Sequence, residues 1–189
     1  TYVFQATAGD DFIPYPKDNL GREFAMPSFL MDRHPVTNRE YTSFLEATGY
    51  QPADTANFLK HWKNGTFLPG EGDFPVVYVA LEDARAYARW AGKRLPTEVE
   101  WQYAAQTPAG NEWPWKQRQP VKRVEQTITA TLTVSSLEGL EPGMCNPGDG
   151  LPYPVGKYRK GANPFGLQDL VGCVWQLTND EYLNGSYRY

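Results

Sequence analysis

Two short capping signatures fix where helices can start in this chain. Thr37 is followed three residues later by Glu40, and Thr97 is followed by Glu100 at the same spacing. In such a pair the threonine hydroxyl caps the first helical turn, while the glutamate reaches back to the threonine N–H. We therefore predict one helix over NREYTSFLEAT, ending before Gly49, and another that begins directly after Thr97.

A third helical segment, LEDARAYARWA, lies between these two and is closed by Gly92. Its apolar residues recur at intervals of three and four, which is typical of a helix with one buried face. The residues expected on that face are Leu81, Ala84, Tyr87, Ala88 and Ala91. The run that precedes this helix, PVVYV over residues 75–79, is rich in β-branched residues and predicts a short β-type segment.

The second half of the chain is rich in turns. Residues 127–134, TITATLTV, alternate threonine with apolar residues, which predicts a half-buried strand. From residue 142 onward the motifs PG, NPGDG and NPFG mark turns. With Gly 17 and Pro 16 in 189 residues, the chain is expected to be α+β with little regular secondary structure. Nothing in the pattern indicates a second domain.

Charge and hydropathy argue against two classes of partner. The net charge is −4 and no run of Lys or Arg exceeds two residues, whereas phosphate binding needs a clustered basic surface. No apolar run approaches the roughly 20 residues that span a bilayer. We therefore expect no nucleic-acid partner and no membrane span. The N-terminal stretch TYVFQATAGDDF also lacks the pattern of a signal peptide.

Few side chains suggest a reaction centre. His34 and His61 are the only histidines, and neither has a second histidine or cysteine at metal-ligand spacing. Glu98 and Glu100 resemble an acid–base pair. They fall in the first turn of a predicted helix, however, where the helix dipole favours negative charge. A structural role is the preferred interpretation for His34 and for both glutamates.

The stretch NPGDGLPYPVGKYRKGANPFGLQDLVGCVWQLTND concentrates oxygen-bearing side chains among glycines. Its candidate ligands are Asn146, Asp149, Asn163, Asp169 and Asp180. Calcium binds about six to eight oxygens of this kind. Asn, Asp and Gly also make turns in the absence of any metal. The residues alone leave both interpretations open.

Three loops have the composition of recognition surfaces: FLKHWKNGTF, GNEWPW and NDEYLNGSYRY. Tyr, Trp, Asn and Gly bind ligands at a low cost in conformational entropy, so a protein, peptide or glycan ligand is expected. The alternative is that these rings pin long loops in a fold with little secondary structure. A partner strand could also pair with the edge of residues 127–134.

Three stretches, in this order, resemble the sulfatase-modifying-factor family, that is, the formylglycine-generating-enzyme-like domain. They are FLMDRHPVTNREYTSFL, PVVYVALEDARAYARWAGKRLPTEVEWQYAA and PVGKYRKGANPFGLQDLVGCVWQLTNDEY. The resemblance implies a single compact domain over residues 1–189, related to the C-type-lectin fold, with 116–143 as a family-variable insertion. It also favours an extracytoplasmic location over a cytoplasmic one.

The resemblance implies alternative functions. In the oxidase branch a cysteine of a sulfatase is converted to formylglycine with molecular oxygen and a copper ion held by two cysteines. Those cysteines follow a segment resembling RGGSW, and neither Cys145 nor Cys173 matches them. We therefore expect a divergent, non-catalytic binding or accessory module. The alternative is an oxidase truncated here, with its copper-binding cysteines beyond residue 189. The sulfoxide-synthase branch needs an iron-binding histidine cluster that this sequence lacks.

The resemblance also sharpens the calcium prediction. The family's usual GNVWEW motif is GCVWQL here, so that Gln176 replaces a glutamate ligand with a neutral amide. A site formed by Gly172, Val174 and Gln176 is therefore expected to bind calcium weakly or not at all. The other site would use Asn146, with Asp149 as its acid. We expect at most one tightly bound calcium ion, at that second place.

Two further departures from the family pattern concern Cys173 and Ala80. No basic residue in the local stretch would lower the pKa of Cys173, so it is expected to be a small buried apolar group. A disulfide with Cys145 is the alternative. Ala80 stands where the family commonly has a serine N-cap, a loss of about 1 kcal/mol in an otherwise equal context.

Overall fold

The computed structural model describes residues 1–3, 21–111, 113–116, 142–146, 152–183 and 186–188. The helices are α1, Asn38–Thr48; α2, Leu81–Trp90; and α3, Glu98–Gln106, with one 3-10 turn at Arg159–Gly161. Two antiparallel pairs are formed by β1, Tyr2–Val3, with β2, Glu23–Phe24, and by β3, Glu181–Leu183, with β4, Ser186–Arg188. This mixed α+β content agrees with the expected class. The strand predicted at 127–134 lies outside the described residues.

Both predicted capping boxes are present. The main-chain N–H groups of Thr37 and Thr97 each donate to a glutamate three residues on, at 2.8 Å in both cases. The hydroxyls of the two threonines accept in return from Glu40 and Glu100. α1 ends where predicted, at Gly49, which has a φ of 60°. Within the described residues, no helix combines the length and the apolar character that crossing a membrane requires.

The largest buried cluster joins α1 to α2. Tyr41 stacks on Tyr87 with ring centroids 5.4 Å apart, and Phe44 meets the edge of Tyr87 at 5.8 Å. Leu59 and Trp62, from the loop between the two helices, complete the cluster. Burial raises the pKa of Tyr87 to about 12, so its hydroxyl stays neutral at ordinary pH. Of the apolar face expected for α2, Tyr87 and Ala91 pack in this cluster, whereas Ala84 and Ala88 line a cavity on another side of the helix.

The run PVVYV does not form a strand, and the β-type prediction is wrong beyond its first two residues. Pro75 makes a single antiparallel bridge with Thr37, and Val76 donates its N–H to the carbonyl oxygen of Val36 at 2.9 Å. Tyr78 then takes a φ of 59°, in the left-handed region that ends an extended run. The chain turns there in order to enter α2.

α2 begins without a side-chain cap. Its N-cap residue, Ala80, has φ −79° and ψ 169°, close to the values of the two capping threonines. Asp83 supplies only the reciprocal half of a capping box, since its Oδ2 accepts from the N–H of Ala80 at 2.7 Å. The other carboxylate oxygen of Asp83 accepts from the hydroxyl of Tyr50 at 2.8 Å. The N-cap backbone is thus ready for a side chain that Ala80 does not provide.

Ala80→Ser should therefore stabilise the protein. A serine hydroxyl at this N-cap can accept from the main-chain N–H of Asp83, which is expected to raise the free energy of unfolding by about 0.5–1 kcal/mol. Chemical denaturation measures the change. Ala53→Ser, in an exposed loop, is the matched control and should change stability little. Equal stability of the two variants would show that the cap contributes nothing.

Candidate functional site

Residues 168–180 bring most of the predicted site residues together on one side of α3. The segment is fixed at both ends by main-chain hydrogen bonds. Gln168 donates its N–H to the carbonyl oxygen of Arg33 at 2.7 Å, and Asn179 donates to that of Pro96 at 2.8 Å. The stretch that identifies the family in the sequence is therefore held between two loops that precede α3.

Gln176 connects this segment to α3 through both ends of its side-chain amide. Its Oε1 accepts from the indole Nε1 of Trp101 at 2.9 Å, and its Nε2 donates to the carbonyl oxygen of Asp169 at 3.0 Å. The oxygen that the calcium prediction offered to a cation already accepts a hydrogen bond from Trp101. One of the two lone pairs of this oxygen is therefore already engaged.

Gly172 lies against the Cβ of Cys145 and the main chain of Asn146. A Cβ on Gly172 would stand 3.0 Å from the Cβ of Cys145 and 3.2 Å from both the N and the O of Asn146. Gly172 also has a φ of 81°, so that only glycine fits both the space and the backbone. The two predicted calcium sites are thus neighbours, because Gly172 belongs to one and Asn146 to the other.

The calcium site itself stays a prediction. Val174 is half-buried and contributes to a cavity wall, while Asp149 lies outside the described residues. In the part of the chain that the structure describes, no group of three or more His, Cys, Asp or Glu residues is placed to hold a metal ion.

The other oxygen-bearing residues hold the turns of this region in place. Asn163 accepts two main-chain N–H groups of its own turn through Oδ1, at 2.9 and 3.0 Å, and donates to the carbonyl oxygen of Ala104 at 2.7 Å. Asp169, which is buried, accepts from the N–H of Gly156 at 2.6 Å. For Asn163 and Asp169 the structure supports the turn interpretation over the metal interpretation.

Glu98 and Glu100, which resemble an acid–base pair in the sequence, lie in different environments. Glu100 accepts from both terminal nitrogens of Arg94, at 2.6 and 2.7 Å, and this pairing lowers the pKa of its carboxyl. Burial raises the pKa of Glu98, and the nearby charge of Asp180 adds to that rise. The main-chain N–H of Glu98 also donates to the Asp180 carboxylate. Both glutamates therefore help to fasten the start of α3.

The two cysteines are free thiols in this structure. Burial raises the pKa of Cys173 to about 12, and the negative charge of Asp169 contributes to the rise. Burial also raises the pKa of Cys145. Since the thiolate is the nucleophile and the metal ligand, neither sulfur is activated near neutral pH. This agrees with the interpretation of Cys173 as packing.

A cavity of about 670 Å³ opens beside residues 168–177. Its walls come mainly from apolar side chains of residues 29–36, α2, the loop 92–96 and α3. Charged groups at the wall pair with one another: the ammonium of Lys93 lies 2.8 Å from Asp32, and Arg94 pairs with Glu100. The volume is in the range of small-molecule pockets, and the lining is close to neutral.

A second surface, here called the tyrosine platform, consists of Lys60, His61 and Tyr78. The Tyr78 ring is 50% exposed. The Lys60 ammonium stands 4.6 Å from its centroid, and the His61 ring centroid lies 5.3 Å away. Burial lowers the pKa of His61, so that its imidazole is neutral at pH 7. The recognition loop FLKHWKNGTF supplies two of the three residues.

Backbone strain underlies the tyrosine platform. Tyr78 has a φ of 59° and Leu59 a φ of 48°, and the N–H of Leu59 donates to the Tyr78 carbonyl oxygen at 2.8 Å. The left-handed region costs a bulky residue roughly 1–2 kcal/mol, and such residues cluster at functional sites. Sequence reasoning missed Tyr78, because within PVVYV it has the pattern of an ordinary strand residue.

The sequence of this chain matches a known protein family. Residues 6–188 match the family model for the sulfatase-modifying factor enzyme 1-like domain, called FGE-sulfatase. The chain belongs to this family. The resemblance inferred from the three sequence stretches is thereby confirmed.

The relatives of this chain differ in the activity that their names state. The formylglycine-generating enzyme of Mycobacterium tuberculosis is 31% identical over 214 residues, covering 89% of this chain and 69% of that protein. A hercynine oxygenase of Mycolicibacterium smegmatis is 32% identical, covering 82% of this chain and 37% of that protein. The inactive C-alpha-formylglycine-generating enzyme 2 of Bos taurus is 28% identical, covering 89% and 66%. Membership of the family therefore does not decide activity.

Replacement of Gln176 tests its bridging role. Gln176→Ala leaves the Trp101 indole N–H and the Asp169 carbonyl oxygen without partners, which should lower the free energy of unfolding by about 1–3 kcal/mol. Chemical denaturation measures the loss. Gln51→Ala is the matched control, since the Gln51 amide makes one exposed hydrogen bond and should matter little. A Gln176→Ala variant as stable as this control would contradict the bridge.

Proposed function

We propose that residues 1–189 are a divergent sulfatase-modifying-factor domain that acts as a binding or accessory module, on a fold related to C-type lectins. Its ligand contacts the tyrosine platform. The observation that carries this proposal is Tyr78, an exposed aromatic residue held at a φ of 59°. The left-handed backbone lets the Tyr78 carbonyl oxygen accept from the Leu59 N–H, but that pairing does not require a bulky ring exposed at this position, and binding is the reason that we propose for the ring.

The state of the cysteines supports a non-catalytic reading of these residues. Copper(I) binding requires soft thiolate ligands, and burial raises the pKa of both Cys145 and Cys173. Gln176, at the family's usual glutamate position, forms internal hydrogen bonds with both ends of its side-chain amide. In this chain, Gln176 of the GCVWQL motif therefore has a structural role.

The chemistry of the tyrosine platform suggests the ligand class. The Tyr78 ring can stack on an apolar face, while the Lys60 ammonium beside it can donate to a hydroxyl, carbonyl or carboxylate oxygen. The neutral imidazole of His61 offers one further donor or acceptor. A short peptide or a glycan that places an apolar face next to an acceptor oxygen matches this arrangement.

Two substitutions of Tyr78 separate its strain from its function. Tyr78→Gly and Tyr78→Ala remove the same ring, but only glycine accepts the positive φ without strain, so the glycine variant should be more stable by about 1 kcal/mol. Both should lose binding on peptide and glycan arrays. Denaturation and array binding of the full-length protein measure the two effects.

Tyr153→Ala is the matched control, because Tyr153 also lies under a lysine, with the Lys157 ammonium 3.3 Å from its ring centroid. Its φ is not positive, and binding should persist in this variant. Array binding that survives both Tyr78 substitutions would overturn the assignment of the ligand to the tyrosine platform.

A second candidate function is a formylglycine-generating oxidase whose copper-binding cysteines lie beyond residue 189. It is supported by relatives of that name from Mycobacterium tuberculosis and Thermomonospora curvata, which are 31% and 29% identical. On this candidate the full-length protein binds copper(I) and converts the cysteine of a sulfatase-derived peptide to formylglycine. Copper titration and mass spectrometry of the peptide measure both. A full-length protein without a cysteine pair, and without either effect, would exclude the oxidase.

A further inference from the structure

The loop that supplies two residues of the tyrosine platform is positively charged. Residues 58–70, FLKHWKNGTFLPG, contain two lysines, one histidine and no acid, although the chain as a whole has a net charge of −4. Lys60 and Lys63 are both exposed. Within the described ranges, no salt bridge engages either lysine. Their ammonium groups are therefore not neutralised by any carboxylate that the structure describes.

Asp54, an acid whose pKa the charge of Lys60 helps to lower, has its carboxylate oxygens engaged elsewhere. Its Oδ1 accepts from the main-chain N–H groups of Ala56 and Asn57, and its Oδ2 accepts from the Asn57 side chain at 2.7 Å. The Lys60 ammonium lies instead 4.6 Å from the ring centroid of Tyr78. A cation–π contact positions the ammonium, and its N–H groups can still donate to an acceptor.

The imidazole of His61 adds a second donor to the platform. Its Nδ1 is buried and has no hydrogen-bond partner among the described residues, which leaves Nε2 as the nitrogen that a ligand can reach. Burial lowers the pKa of His61, and the charge of Glu71 only partly opposes this, so the ring is neutral at pH 7. A buried N–H without an acceptor is rarer than an unpaired acceptor. We therefore place the proton on Nε2.

A surface that offers donors selects a ligand group that only accepts. The ammonium of Lys60 has three N–H groups and no lone pair, and the neutral His61 donates through Nε2. An ionised carboxylate only accepts, so its two oxygens suit two donors. A sugar hydroxyl carries a donor of its own, which needs an acceptor as well. Hydrogen bonds that involve an ion are also stronger than neutral ones. A carboxylate is thus the polar group that this surface favours.

We propose that the ligand of the tyrosine platform is an acidic peptide in which a carboxylate adjoins an aromatic side chain. The aromatic ring of the peptide packs against Tyr78, which is 50% exposed, and the carboxylate accepts from Lys60 and His61. Aromatic pairs contribute affinity beyond the area that they bury. This ligand class depends on the binding function proposed for the platform, and it narrows the ligand from a peptide or a glycan to an acidic peptide.

Two peptides that differ in one charge test the proposal. Acetyl-Phe-Asp-amide and acetyl-Phe-Asn-amide carry the same ring and have nearly the same shape. Each is titrated into the full-length protein at pH 7, and calorimetry measures the two dissociation constants. The acidic peptide should bind about tenfold more tightly, because its carboxylate forms charge-assisted hydrogen bonds. Added salt should weaken the binding of the acidic peptide more than that of the neutral one.

Variants of the two lysines separate the platform from the general charge of the loop. Lys60→Gln should remove the preference for the acidic peptide, whereas Lys60→Arg should retain it, since a guanidinium also pairs with a carboxylate. Lys63→Gln is the matched control, because Lys63 is an exposed lysine of the same loop that does not belong to the platform. It should keep the preference. His61→Phe keeps a ring beside Tyr78 but loses the Nε2 donor, and should reduce the preference.

Four results would overturn the acidic-peptide ligand. The first is equal affinity for the two peptides, and the second is binding of neither. The third is a preference for the acid that persists in Lys60→Gln or disappears in Lys63→Gln, which would assign it to the general charge of the loop. The last is tighter binding of glucuronic acid than of the acidic peptide, which would assign the carboxylate to a sugar.

The effect of Tyr78→Gly distinguishes failure of this ligand class from failure of the proposed function. Equal affinities that Tyr78→Gly abolishes would leave the platform as a binding site for a neutral ligand. Peptide binding that Tyr78→Gly leaves unchanged would contradict the platform itself, and the acidic-peptide ligand with it.

Discussion

The N-terminus of α3 is the point to which the second half of the molecule is fastened. Glu100 caps this end from inside and is held in turn by both terminal nitrogens of Arg94. A buried carboxylate in this position is stable only when it is paired and hydrogen-bonded. Asp180 accepts from the first turn of the same helix, and Gln176 accepts from Trp101 one turn further on. Because Glu100 and Trp101 also line the cavity, the same helix end forms part of the cavity wall.

The features that sequence reasoning predicted are those set by local chemistry. α1 and α3 start where a threonine and a glutamate three residues apart can satisfy each other, and such a box is visible in any sequence. The bridge from Gln176 to Trp101 spans 75 residues, so no local pattern contains it. Tyr78 shows the same limit for the backbone. Its left-handed conformation follows from the pairing of its carbonyl oxygen with the Leu59 N–H. The valines on either side of Tyr78 in the sequence predict an extended backbone instead.

The tyrosine platform and the cavity differ in the chemistry that they present. The platform consists of one ring, one ammonium and one imidazole, each with its own directional chemistry. The cavity has a mainly apolar wall, and its charged groups pair with one another. Tyr78 is absent from the cavity lining, so the two surfaces can be altered separately.

The amide of Gln176 makes two contacts that a glutamate at the same position could not both make. A carboxylate could accept from the Trp101 indole, but it has no N–H to give to the carbonyl oxygen of Asp169, which lies at a residue with a φ of 58°. An amide satisfies the donor and the acceptor at once. With glutamate at position 176, the Asp169 carbonyl oxygen would need another partner, which the amide of Gln176 makes unnecessary.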